Sequence, residues 1–190
     1  MLHSTSLPMP LQNILWSKNN TLAKNMALLL FGVVVLAIAS QLVVPLTPVP
    51  ITFQSATVIL IGMAFGPRLG TSIVITYLIA GIVGFPVFAS FSSGLNPFFG
   101  PTSGYLIGFI PAAFISGYLA QWGFARNVAR SFLAASVGTS IIFLFGITML
   151  SRFVGWHNAF LLGFMPFVFT ETVKLFFVSF LIPKMWKHAN

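Results

Sequence analysis

Glu171 is the only acidic residue among 190, and Lys174 follows it three residues later inside an apolar run. Ionisable side chains in such a run are costly to place in a bilayer. They face the interior of a bundle and mark a functional site by default. On a helix the two project about 60° apart with roughly 4.5 Å of axial rise, so both can reach one cavity. Together they offer a carboxylate acceptor beside an ammonium donor. A ligand carrying an N–H next to a carbonyl oxygen, such as a cyclic urea or an amide, would fit that pair. The competing reading is a structural ion pair, but the desolvation cost of burying two charges offsets their attraction and makes such a pair a poor device for stability alone. Ligand binding is the stronger reading.

Other polar groups gather between residues 85 and 103. Ser90, Ser92, Ser93, Gly94, Asn96, Gly100, Thr102 and Ser103 are interleaved there with Phe88, Phe91, Phe98 and Phe99. Small polar groups among aromatics suit a compact, partly apolar, uncharged ligand. A re-entrant loop that satisfies its own backbone would have the same composition. Thr52 and Gln54, just after a proline-rich stretch, either cap a helix or enter the ligand cavity. Gly100, Gly104 and Gly108 form two overlapping G-x-x-x-G units, which favour close helix packing. Phosphate cradling is the weaker reading there, because no Lys-Ser/Thr follows and no acid is at hand for Mg²⁺.

Several chemistries are excluded by the count of acids. Glycoside cleavage by paired carboxylates, two-metal phosphoryl transfer and calcium loops each need several carboxylates in one place. With no Cys, one acid, and His3, His157 and His188 spread over tails and a helix mouth, no metal site is expected. The nine Lys and Arg give a net charge of +8, yet they are scattered between apolar runs rather than gathered on a polar face, so nucleic acid is not expected as a partner.

The elements that must position the pair follow from hydropathy. Charged residues are 5% of the chain and hydrophobic ones 57%, with 22 Phe. A soluble domain carries about a quarter charged residues, so the bilayer is the natural solvent. No charge falls between Lys24 and Arg68 or between Arg68 and Arg126, and each gap holds two spans of about 20 residues or fewer. The expected spans are 25–44, 53–66, 69–84, 104–122, 131–150 and 159–181, giving an all-α integral membrane protein of six transmembrane helices. Pro45, Pro48 and Pro50 end the first, Gly66-Pro67 the second, and Gly84-Phe85-Pro86 the third.

Six spans place both termini on one side. Lys18, Lys24, Arg68, Arg126, Arg130, Lys184 and Lys187 fall on that side and only Arg152 on the other, so the termini are expected in the cytoplasm. The basic excess then reports topology and contact with anionic lipid. Residues 1–24 read as a cytoplasmic segment without a signal peptide, 25–183 as a single membrane domain, and 184–190 as a cytoplasmic tail.

Five motifs in order now stand together: Pro48-Val-Pro-Ile-Thr-Phe-Gln54, Gly66-Pro-Arg68, Gly84-Phe-Pro-Val-Phe-Ala89, Gly100-Pro-Thr-Ser-Gly-Tyr-Leu-Ile-Gly-Phe109 and Glu171-x-x-Lys174. The set resembles the BioY family, the biotin-specific substrate-capture (S) components of energy-coupling-factor (ECF) transporters. That resemblance implies a six-helix S-component bundle in the plasma membrane. It implies high-affinity biotin binding near the outer face, and assembly with a transmembrane coupling subunit and a pair of ABC-type ATPases. The family's acid and lysine fall on Glu171 and Lys174, with Glu where Asp is common. Its glycine-rich loop falls on residues 90–94, where Ser92 is the nearest counterpart and Phe91 departs from the pattern. Asn96 is a further polar candidate. Small residues spaced by four on the first helix, Ala23 and Ala27 with Gly32, are a weak counterpart of the face that meets the coupling subunit.

The resemblance implies that Glu171 accepts a ureido N–H and Lys174 donates to the ureido oxygen. Loop serines, Ser92 and Ser93 foremost, would complete the polar contacts. Phe side chains and Tyr105 would cover the thiophane ring and chain, and the proline loop would act as a lid. No Walker motif is present, so energy would come from other subunits, and no cofactor or enzymatic step is implied. Alternatives are an S component for another vitamin, a carrier working alone, and an intramembrane serine protease using Ser93 and His157.

Overall fold

The computed structural model describes residues 21–187. Residues 1–20, with His3 and Lys18, and His188 in the tail lie outside that range. Seven helices are labelled here in chain order: α1 Thr21–Gln41, α2 Gln54–Val83, α3 Asn96–Phe99, α4 Ser103–Leu119, α5 Val128–Val154, α6 Trp156–Gly163 and α7 Met165–Lys187. Five stretches are long and apolar enough to cross a membrane: Ala23–Gln41, Gln54–Val83, Ser103–Phe124, Val128–Val154 and Trp156–Lys187.

The second of these crosses twice. Gly66 has φ 81° and ψ 177° and Pro67 follows, so the helical path breaks there. In a straight helix Gln54 and Tyr77 would be about 35 Å apart. Instead Gln54 Nε2 donates to Tyr77 Oη at 2.5 Å, and a Cβ on Gly70 would lie 2.9 Å from Gly62 Cα. Helix α2 is therefore a hairpin of two antiparallel arms, 54–65 and 67–83. The described residues thus make six crossings, as expected, with the turn at the Gly66-Pro67 pair. The first arm is only about 18 Å long. It is tolerated at that length because nearly every one of its residues is buried among neighbouring helices.

Helix ends differ from expectation in ways the sequence explains. α1 stops at Gln41, and Val43–Val44 pairs antiparallel with Ile51–Thr52, in register Val43 to Thr52 and Val44 to Ile51. The proline loop is thus a small hairpin added to the all-α bundle. α4 begins at Ser103, two residues after Pro101, and passes into a π-helical turn, Ala120–Phe124, within which Gly123 at φ 94° breaks the helical path. α5 is capped by Asn127, whose side chain accepts the Arg130 N–H at 2.9 Å. The expected last span splits at Phe164. Gly155, at φ 80°, lets α6 fold back against the end of α5, and α7 starts afresh with Pro166 in its first turn, where a missing N–H costs nothing.

Small residues hold the arms together. A Cβ on Gly62 would collide with Ala113 O and Ser116 Oγ, and one on Gly117 would sit 2.5 Å from Gly62 O. Gly104 and Gly108 face Phe145 and Ile142 of α5, so the overlapping glycine units serve packing. Large apolar side chains point outward instead, among them Leu30, Phe31 and Val34 on α1 and Phe169, Phe176 and Phe177 on α7. That outward apolar belt marks a multi-pass membrane protein. Lys24, Arg68, Arg126, Arg130, Lys184 and Lys187 mark one end of the bundle. The hairpin, residues 85–102 and Arg152 mark the other, the loop end.

Candidate functional site

A cavity of about 230 Å³ opens at the loop end, lined mainly by apolar groups. Val49, Pro50 and Thr52 come from the proline hairpin; Gln54 and Ser55 begin the first arm of α2. Phe88, Ala89, Ser90, Ser92 and Pro97 come from the long loop, Thr102, Tyr105, Leu106 and Phe109 from the start of α4, Ile142 and Phe143 from α5, and Phe167 and Glu171 from α7. Aromatic rings form one wall. Tyr105 meets Phe143 edge-on at 6.0 Å and stacks on Phe167 at 6.4 Å, and its hydroxyl donates to Gly163 O at 2.8 Å. That bond ties the α4 wall to the end of α6.

The charged pair begins one turn beyond Phe167 on α7. Glu171 and Lys174 are each 4% exposed, and Lys174 Nζ lies 2.6 Å from Glu171 Oε1. The ammonium also donates to Thr52 O at 2.6 Å and lies 5.5 Å from the centre of the Phe53 ring. Ser55 Oγ stands 2.9 Å from both carboxylate oxygens. Glu171 is thereby held by an ammonium and a hydroxyl, and its remaining acceptor capacity faces the cavity. Lys174 is not part of the wall: it stands behind Glu171, with two of its three N–H groups engaged.

A second polar chain runs behind the loops. Thr52 Oγ1 donates to Gln54 Oε1 at 3.0 Å and accepts the Gln54 N–H at 3.3 Å. Gln54 then donates to Tyr77, and Tyr77 Oη donates to Val87 O at 2.9 Å. Thr52 and Gln54 therefore both line the cavity, and the Thr52 hydroxyl also satisfies the start of α2. Gln54, Ser92, Tyr105 and Glu171 come together at the cavity, while Ser93, Asn96 and Lys174 are not in its lining. Asn96 is exposed at the start of α3. No hydrogen bond joins Ser93 to His157 among the described residues. No group of three or more His, Cys, Asp or Glu that could hold a metal ion occurs among them either.

Sequence reasoning missed Ser55 and Tyr77. Ser55 carried only a weak signal, its place three residues after Thr52 at the mouth of a helix. Tyr77 carried none, because its partner Gln54 is reached only once α2 has folded back.

The bundle and its site define a class: a multi-pass membrane protein with a small, largely apolar binding cavity at the loop end and a single buried acid in its wall. Within that class the chain belongs to the BioY family, whose profile matches residues 10–190. It is similar to the probable biotin transporter BioY of Pyrococcus horikoshii, 40% identical over 152 residues that cover 80% of this chain and 90% of that one. It is also similar to the biotin transporter BioY of Thermotoga maritima, 38% identical over 142 residues, 74% of this chain and 82% of that one. The crystal structure of the S-component for biotin from an ECF-type ABC transporter shares the fold. The TM-score is 0.81 at 23% identity, over 90% of this chain and 95% of that chain.

Proposed function

We propose that this protein captures biotin at the outer face of the cell membrane as the S component of an ECF transporter, with both termini cytoplasmic and residues 25–183 forming the membrane domain. The observation that carries the reading is Glu171: one carboxylate, buried, fixed by Ser55 and Lys174, and turned to an otherwise uncharged aromatic cavity. Glu171 accepts a ureido N–H. Lys174, behind the wall, holds the Glu171 carboxylate and the Thr52 carbonyl in place for the ligand, and Gln54 and Ser92 supply neutral polar contacts. Tyr105, Phe143 and Phe167 cover the thiophane ring and aliphatic chain. Charged hydrogen bonds in a site closed to water are stronger than neutral exposed ones, so tight capture needs no chemistry on the ligand. Release is driven by partner subunits, a transmembrane coupling protein and ABC-type ATPases, since this chain carries no nucleotide motif.

Calorimetric titration of the purified protein with biotin, thiamin and riboflavin tests the reading. Biotin alone should give saturable one-site binding. Preference for either of the other vitamins would replace it with an S component of different specificity.

A further inference from the structure

The long loop carries an unusual turn. Ser90 has φ 56° and ψ 38°, and Phe91 has φ 56° as well, so two consecutive residues with side chains occupy the left-handed region. Such a pair persists only where surrounding structure over-determines it, and strain of this kind clusters at ligand clamps. Phe88, Ala89, Ser90 and Ser92 of this same turn form cavity wall. Phe91 itself is 70% exposed, so burial of its ring does not hold the turn in place.

Hydrogen bonds from the end of α1 hold it instead. Gln41 Nε2 donates to Phe88 O at 3.0 Å, and Gln41 Oε1 accepts the Phe91 N–H at 3.0 Å, so one side-chain amide closes both ends of the turn. The Phe91 N–H also fixes which end of that amide is oxygen. Ser40 Oγ accepts from Gln41 Nε2 at 2.7 Å and lies 2.6 Å from Val87 O, the carbonyl that also accepts from Tyr77. Within the loop the turn is closed only by Phe88 N–H to Ser92 O at 3.1 Å and by Ser92 to Ala89 O. Neither of those bonds involves the left-handed residues.

We propose that Gln41, seated by Ser40, is a positioning residue that latches the loop turn 88–91 over the cavity and so sets how long the ligand stays bound. Gln41 is absent from the cavity lining, and its effect passes through the turn. The inference rests on the reading that biotin occupies this cavity, but the latch itself has a readout that needs no ligand.

The test uses Gln41→Met in the full chain, reconstituted in lipid nanodiscs. This substitution keeps the side-chain length and removes both hydrogen bonds. Backbone amides of 87–92 should exchange with deuterium about tenfold faster or more, with or without biotin. Biotin should dissociate about ten- to thirtyfold faster while its association rate stays within about twofold. Adding Phe91→Gly, which adopts a positive φ without steric cost, should bring dissociation back to within about threefold of the wild type. Unchanged exchange overturns the proposal. So does faster dissociation that Phe91→Gly leaves uncorrected, because the effect would then not pass through the turn. If Gln41→Met does not fold, Gln41→Leu, which likewise removes both hydrogen bonds, takes its place with the same two criteria. Wild-type protein that binds no biotin would sink the functional reading while the exchange result still decides the latch.

Discussion

The two ends of the bundle are built on opposite principles. Toward the basic end, α2, α4 and α5 meet through Gly62, Gly117, Gly138, Ala112 and Ala134, with backbones so close that a single added Cβ has no room at Gly62. That contact is made by close backbone approach, with the buried Ser116 set between Gly62 and Gly138. At the loop end α4 and α5 stay packed through Gly104 and Gly146, but α2 parts from them around the cavity, and polar side chains hold that region: Lys174 to Thr52, Ser55 to Glu171, Gln54 to Tyr77, Gln41 to the loop. Directional contacts can open and close around a ligand, whereas interlocked backbones cannot. The difference teaches that a short, fully buried helix such as the first arm of α2 can anchor one end rigidly while presenting Gln54 and Ser55 to a site at the other.

Substitutions at the two ends should separate stability from binding. The largest effect is expected for Glu171→Ala, which leaves the Lys174 ammonium buried without its counter-charge. Breaking a buried pair in this way costs about 3–5 kcal/mol. Thermal unfolding in detergent should show the loss together with loss of biotin binding. Next is Gly62→Leu, where overpacking against Ala113 and Ser116 costs about 1–3 kcal/mol or more. Unfolding should shift while the folded fraction still binds biotin with wild-type affinity, and a matching loss of affinity would show that the two ends are not separable. Ser55→Ala removes a hydrogen bond to a charged group already made without ligand, so it should cost about 1.5 kcal/mol in thermal unfolding and also weaken biotin binding, because the Glu171 carboxylate loses a fixed partner. The smallest change is expected for Asn96→Ala, exposed at the start of α3, within about 0.5 kcal/mol in both measurements.

Much of this was legible in the sequence, and unevenly so. A charge-free run followed by Gly66-Pro67-Arg68 announces a helical hairpin, because glycine permits the positive φ, proline breaks the ladder and arginine stops at the membrane surface. Glu171 and Lys174 announce themselves by rarity, since ionisable groups in apolar runs have few reasons to be there. The break at Phe164 was not read from the sequence, although Gly163 and Pro166 flank it, because no charge falls between Arg152 and Glu171 and the division depends on α6 folding back over α5. Ser55, Gln41 and Tyr77 were hidden for a different reason. A serine or glutamine near a helix end is common, and its partner, Glu171 or the Phe91 amide, is distant in sequence. The reach of Lys174 was also hidden: helical spacing places it beside Glu171, but only the folded hairpin supplies the Thr52 carbonyl that draws it behind the wall.

The central claim is that Glu171, held in place by Lys174, reads the ligand, and calorimetric titration of Lys174→Ala with biotin tests it most directly. Loss of a charged partner in a buried contact predicts binding weaker by about 2 kcal/mol or more, close to thirtyfold in Kd. Folded Lys174→Ala protein with wild-type affinity would contradict the account.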